Sequence, residues 1–196
     1  MAFHSEDIEI PAGLTTPEFI LRPLSATHND LDYDAVMSSR EMLLVWGRSD
    51  WPTENFTSEQ NLDDLIRHET EHIDRVAFTY TVMNRSESTC LGCVYIRPLK
   101  ALLSDLGADT GLIESTDDAA AVVSFWVRQK RLDDDLDKRL LDALIDWFGR
   151  EWQFSSVSFR SNSEDTRQTR LFELVGLKRL HSIDFPDKSG HFFIYA

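Results

Sequence analysis

Apolar and polar positions divide the chain into short alternating or fully apolar stretches and longer segments with helical spacing. FILRPL, residues 19–24, predicts an opening strand. Residues 28–46 carry Leu31, Ala35, Met42 and Trp46 at helical spacing behind a capping Asn29 or Asp30. A second helix is expected over 58–74, with Leu62, Leu65, Ile66 and Ile73 on one side. RVAFTYTVMN (75–84) and CLGCVYIRPL (90–99), joined by the polar RSEST, read as an antiparallel hairpin. In 99–118 only ALLSDL suggests a short helix, and the rest reads as polar loop. AAAVVSFWVR (119–128) is almost unbroken in its apolarity, as expected of a strand at the centre of a sheet. The clearest helix spans 133–150, where Leu136, Leu140, Leu141, Leu144, Ile145 and Phe148 make one stripe. FSSVSFR (154–160) reads as a strand and EDTRQTRLFELV (164–175) as a helix, with Gly176 at a left-handed C-cap. LKRLHSIDF and HFFIYA close the chain as a hairpin turning at Pro186-Asp187-Lys188-Ser189-Gly190. The polar residues 1–17, with Pro11 and Pro17, read as an N-terminal arm before a single domain over 18–196. The fold class is α/β (α+β): a mixed, mostly antiparallel central sheet of about seven strands with helices on both faces.

Composition narrows the partners. The 196 residues are 42% hydrophobic and carry a net charge of −14. That acidity argues against nucleic acid, whose phosphates reward basic surfaces, and against an anionic membrane; a cationic substrate suits it better. No apolar run approaches a membrane span, and the first residues lack the basic and apolar regions of a signal peptide. Two cysteines in a chain of this length suggest a reducing compartment, and a cytoplasmic location is expected.

Three local patterns, in this order along the chain, resemble the ribosomal-protein N-terminal acetyltransferase branch of the GNAT superfamily of N-acetyltransferases. FILRPL is similar to that branch's opening strand, and CLGCVYI, with Leu91-Gly92, to its third. DTRQTRLFELVGL is similar to its N-x-x-S-x-x-x-x-E-x-x-G-F segment: Asp165 stands for the Asn, Gln168 for the Ser, Leu177 for the Phe, and Glu173 and Gly176 match. The resemblance implies that the strand ending at Val127 parts from its neighbour and pairs with the pantetheine arm of coenzyme A. Phe125, Trp126 and Val127 would hold that arm. The loop Leu132, Asp133, Asp134, Asp135, Leu136, Asp137 and Lys138 would meet the pyrophosphate at a helix N-terminus.

That loop departs from the family's R/Q-x-x-G-x-G/A pattern. Leu132 takes the Arg/Gln place, and Asp135 and Asp137 take the glycine places. A carboxylate–phosphate pair at about 4 Å costs roughly 1 kcal/mol in water and about 4 kcal/mol at an effective dielectric near 20. Outward-turned acids, or Lys138, Arg139 and Arg131, would have to compensate. The same acids read equally well as caps and first-turn residues of the helix. Val122 stands where many relatives place a Glu base, and Phe172 where many place a Tyr acid. Ser124, Ser161 and Asn162 are the polar catalytic candidates left, with strand and turn hydrogen bonding as their structural role. Trp46, Trp51 and Phe56 would wall the acceptor pocket, or fill core.

Two signals point to metal. HETEH, from His68 to His72, fits H-E-x-x-H, but the helix's apolar stripe turns His68 away from the core and no third ligand follows at the usual distance. Cys90 and Cys93 form one C-x-x-C, and their odd spacing on a strand sends the sulfurs to opposite faces. No metal is therefore expected. Two functions remain: an acyl-CoA-dependent N-acyltransferase, with acetyl-CoA as co-substrate and a small amine or peptide N-terminus as acceptor; or a non-catalytic binding or regulatory protein that has kept the fold and lost the cofactor. A homodimer is compatible with either.

Overall fold

The computed structural model describes residue 3 and residues 7–185 and 189–196. The expected turn residues Pro186, Asp187 and Lys188 lie outside the described residues. The strands are β1 (Leu14–Thr15), β2 (Phe19–Pro23), β3 (Phe78–Asn84), β4 (Cys90–Pro98), β5 (Ala120–Val127), β6 (Ser156–Asn162), β7 (Arg179–Asp184) and β8 (His191–Tyr195). They form one eight-stranded sheet in the order β1-β2-β3-β4-β5-β6-β8-β7. Among the described residues, only β5 and β6 run parallel, which is the pairing a crossover helix imposes. The eighth strand is β1, a short edge strand from the segment expected to be an arm.

The helices are α1 (Asn29–Met37), α2 (Arg40–Gly47), α3 (Ser58–Ile73), α4 (Leu99–Asp105), α5 (Thr110–Ser115), α6 (Leu136–Glu151) and α7 (Thr166–Leu174). Strand alternation sorts them onto two faces. Ala121, Val123, Phe125 and Val127 pack with Leu136, Leu140, Leu141, Leu144 and Trp147 of α6 and with Leu171 and Phe172 of α7. Trp126 and Cys93 face α1, α2 and α3, and Ala120 and Val122 face α4.

Four elements depart from the sequence pattern. The helix expected over 28–46 breaks at Ser38-Ser39, where Ser38 Oγ donates back to Ala35 O in the last turn of α1 and buried Ser39 Oγ accepts from Gln129 N of the loop after β5. Helix α3 turns Asn61, Leu65 and His68 toward the sheet and leaves Ile66 and Ile73 47% and 74% exposed, so its inward face is more polar than the leucine–isoleucine stripe implied. The polar stretch after α4 holds a second short helix, α5, capped by Asp109 Oδ1. Helix α6 begins at Leu136; the side chain of its N-cap Asp135 makes no capping bond, while Asp137 Oδ1 accepts from Lys138 N in the first turn at 3.0 Å. Trp147 takes the inward position expected of Ile145, which is 38% exposed.

One irregularity in β4 changes which side chains share a face. Val82 pairs with Gly92, yet Met83 pairs with Cys90, so Leu91 is an extra residue in a β-bulge. Gly92 sits there with φ +156°, and a Cβ on it would lie 2.0 Å from Trp126 O and 2.8 Å from Val127 Cα. Glycine thus lets β4 and β5 approach. Gly92→Ala is expected to destabilise the fold by about 3 kcal/mol, the upper end of ordinary overpacking, read from urea midpoints; an unchanged midpoint would mean β5 can move aside.

Candidate active site

β4 pairs with β5 from Ala121 to Val127. β6 pairs with it only from Ala120↔Ser156 to Val123↔Phe159. Beyond Phe159, β6 continues to Asn162 paired with β8 on its other edge but no longer with β5, and the edge of β5 from Ser124 onward loses its neighbour. Arg128 N donates to Leu91 O on the β4 side, so by alternation Phe125 and Val127 aim their backbone groups into the gap.

Asn162 holds the far side of the gap in place. Its amide donates to Val45 O at 3.0 Å and Trp46 O at 3.1 Å, tying the end of α2 to β6. Its side-chain oxygen accepts from Glu164 N and Asp165 N. Gln168 of α7 reaches into the gap and donates from Nε2 to Phe125 O at 2.9 Å.

The acidic loop is tied to arginines. Asp135, in a glycine place, has φ +55° and ψ +33°, a left-handed conformation that Asp tolerates better than most residues. The loop therefore keeps a glycine-type backbone without the glycine. Arg167 of α7 holds Asp137 in a forked pair (2.6 and 2.9 Å) and also reaches Asp135 Oδ1 at 3.1 Å and Leu132 O at 2.8 Å. Asp134 turns to Arg131 at 2.8 Å, and Glu18 of the N-terminal segment bonds both Arg131 and Arg139.

Three cavities surround this edge. A small one of about 110 Å3 lies in the gap, lined by Phe125, Trp126, Val127, Leu132, Asp137 and Gln168 among others. A groove of about 570 Å3 opens at the α6 N-terminus and carries Lys138, Arg167 and Arg170 beside Asp135 and Asp137. On the other face of the sheet, a cavity of about 290 Å3 is lined by Trp46, Trp51, Asp32, Asp64, His68 and Tyr95, together with Asn61. Trp46 walls both this cavity and the small one. The indole N–H groups of Trp46 and Trp51 are buried and find no partner among the described residues. His68 contacts Glu71 Oε2 at 3.0 Å and leans on Tyr95, with ring centroids 5.4 Å apart. Burial lowers its pKa below the usual imidazole value, with Arg67 adding to the effect, so the ring is neutral at pH 7.

This topology, with its parted central strands, is the GNAT fold. The ribosomal-protein-S5-alanine acetyltransferase from Vibrio fischeri superposes with a TM-score of 0.70 at 12% identity, over 94% of this chain and 95% of that one. A ribosomal L7/L12 alpha-N-protein acetyltransferase in complex with coenzyme A gives 0.70 at 13% identity, over 95% of each chain. The microcin C7 self-immunity acetyltransferase, in complex with acetyl-CoA and AMP, gives 0.71 at 10% identity over 95% of this chain and 96% of that one. No protein-family model and no curated protein matches the sequence.

The residues singled out in the sequence divide clearly. Phe125, Trp126, Val127, Leu132 and Asp137 meet at the gap, and Asp135 and Lys138 border the adjoining groove. Asp133 faces a different surface, beside Lys130 and Arg40, and Leu136 is buried in the core. Trp46 and Trp51 line the acceptor-side cavity, with Phe56 behind Trp51 at 5.8 Å. Ser124 sits opposite Tyr95, and buried Ser161 is bonded to Thr169 Oγ1 at 3.2 Å. His68 contradicts its expected outward direction. Its signal lay in the 61–65–68 spacing, which the stronger Leu–Ile stripe masked. Asn162→Ala is expected to cost about 3 kcal/mol in urea unfolding, since it strips four buried or half-buried backbone groups of their partner. A loss of activity with unchanged stability would instead make Asn162 a chemical participant.

Proposed function

We propose that the chain is an acyl-CoA-dependent N-acyltransferase, with acetyl-CoA as donor and a peptide N-terminus or small amine as acceptor. The observation that carries this reading is the free edge of Phe125–Val127, set between a cationic groove on one side and an aromatic, acidic cavity on the other. Acetyl-CoA supplies an activated thioester. The backbone groups of Phe125 and Val127 extend the sheet onto its amide-bearing arm, as an added strand would. Lys138, Arg167 and Arg170 meet its phosphates with side-chain charge, where relatives of the family pattern use glycine-loop amides. Arg167 is then both plug and ligand: an entering diphosphate takes the guanidinium from Asp135 and Asp137. Displacing Gln168 from Phe125 O costs about 0.5–1.5 kcal/mol, a small part of the binding energy of a micromolar ligand.

In the acceptor cavity, the rings of Trp46, Trp51 and Tyr95 wall the incoming chain, and Asp64, which Arg67 also holds at 3.2 Å, draws its ammonium. Neutral His68 takes the ammonium's proton, and the free amine attacks the thioester carbonyl; the C–N bond forms as the C–S bond breaks, and the departing coenzyme A thiolate takes up the second proton that nitrogen loses, leaving the amide and the free thiol.

The non-catalytic alternative is favoured by one feature: Gln168 and Arg167 leave only about 110 Å3 in the gap, below the usual range of ligand pockets. Thermal unfolding separates the two readings. Acetyl-CoA at about a hundred times its dissociation constant should add about 2.7 kcal/mol, or roughly 5–10 °C in Tm. Arg170→Ala should weaken that binding about fivefold without altering the unliganded Tm, since the side chain is exposed. No shift at millimolar acetyl-CoA would establish the non-catalytic reading. With binding in hand, His68→Gln should slow turnover about a hundredfold while leaving the acetyl-CoA shift intact; undiminished turnover would remove His68 from the chemistry.

A further inference from the structure

The bulge at Leu91 has a consequence on the opposite face of β4. It reverses the side-chain alternation between the two cysteines, and both sulfurs point to the same place instead of to opposite faces. There they meet Asp32 of α1: Cys93 Sγ lies 3.4 Å and Cys90 Sγ 3.8 Å from Asp32 Oδ1. The three ligand atoms lie within 4.8 Å of one another, and among the described residues they form the one such group of three. We propose that Asp32, Cys90 and Cys93 form a binding site for a zinc-type divalent cation, independent of the acyltransferase reading.

Geometry, charge and access each favour it. A tetrahedral ion with Zn–S near 2.3 Å and Zn–O near 2.0 Å has S···O edges of about 3.5 Å, close to both separations. Asp32 is 4% exposed and both cysteines 1% or less. Its other oxygen accepts from Asn61 Nδ2 at 3.1 Å, a partner that orients the carboxylate as second-sphere amides orient metal ligands. No Lys or Arg among the described residues pairs with it. Thiols are weak donors, and a buried carboxylate is ordinarily paired with a cation or a metal. His28, the imidazole in charge interaction with it, is bonded to Thr81 Oγ1, and burial lowers its pKa toward the neutral form. Asp32 also lines the cavity of Trp46 and Trp51, which gives an ion a way in and a water a fourth position. Two soft sulfurs and one oxygen exclude magnesium and calcium as preferred occupants. His68 and His72 are not part of the set: His68 is engaged by Glu71, and His72 packs on Phe78 and Tyr80.

Binding converts both thiols to thiolates and releases two protons for each zinc ion taken up. The test is zinc titration of the reduced, full chain against a chromophoric chelator, with proton release followed in weak buffer. The expected result is one zinc per chain with about two protons released. Cys90→Ser/Cys93→Ser should lose the site, and Asp32→Asn should weaken it at least tenfold. Absence of stoichiometric binding, or binding unchanged in the double-serine chain, would overturn the proposal. Should that variant not fold, cobalt substitution of the unaltered chain decides. A thiolate-to-cobalt charge-transfer band in the near ultraviolet supports the site, and its absence refutes it.

Discussion

The parting of β5 from β6 after Val123 and Phe159 is the constraint on which the rest of the molecule depends. A sheet edge in the middle of a protein leaves backbone donors and acceptors without a strand, and buried groups of that kind are costly unless something satisfies them. The fold keeps the edge open by holding the end of β6 away from β5. On its far edge β6 stays paired with β8, and Asn162 ties its end to the end of α2. The edge is then met by a side chain, Gln168, whose amide copies the donor an added strand would bring. A neutral side-chain hydrogen bond is weak enough to exchange for a ligand's amide, so a closed and an open berth differ by little free energy.

Charge at the mouth of the berth follows the same logic. Four aspartates in the loop would repel a diphosphate if they faced it alone. Asp134 is held by Arg131, and Asp135 and Asp137 by Arg167, so the acids create arginine sites without presenting bare carboxylates. The Arg167–Asp137 pair is the strongest of these, because the Asp137 side chain is 9% exposed and the pair is bidentate. Arg167 is itself about half exposed, which screens the interaction and leaves the guanidinium within reach of an anion.

Strand and helix periodicity made most of the fold legible. The unbroken apolar run of β5 marked the centre of the sheet, and the heptad-like stripe marked α6. The gap-facing residues Phe125–Val127 were legible only through the family resemblance, which places the opening at the end of that run. What the chain did not disclose was local and three-dimensional. A glycine-type φ carried by Asp135 has no compositional signature. A bulge that inserts Leu91 undoes the two-residue period used to separate Cys90 from Cys93. The inward face of α3 is built from Asn61 and His68, so hydrophobicity alone rotated the helix the wrong way. Gln168 had only its place in the family segment and Arg167 no signal at all, and only the approach of α7 to the β5 edge shows what they touch.

Amide hydrogen exchange at the edge itself offers the most direct test that this opening is a thioester berth. With acetyl-CoA added, exchange should slow at Phe125 and Val127 and at the start of α6, while Ala121 and Val123, already paired with β6, stay as they were. Exchange at Phe125 and Val127 that is unchanged under saturating acetyl-CoA would contradict it and leave the parted strands a feature of packing alone.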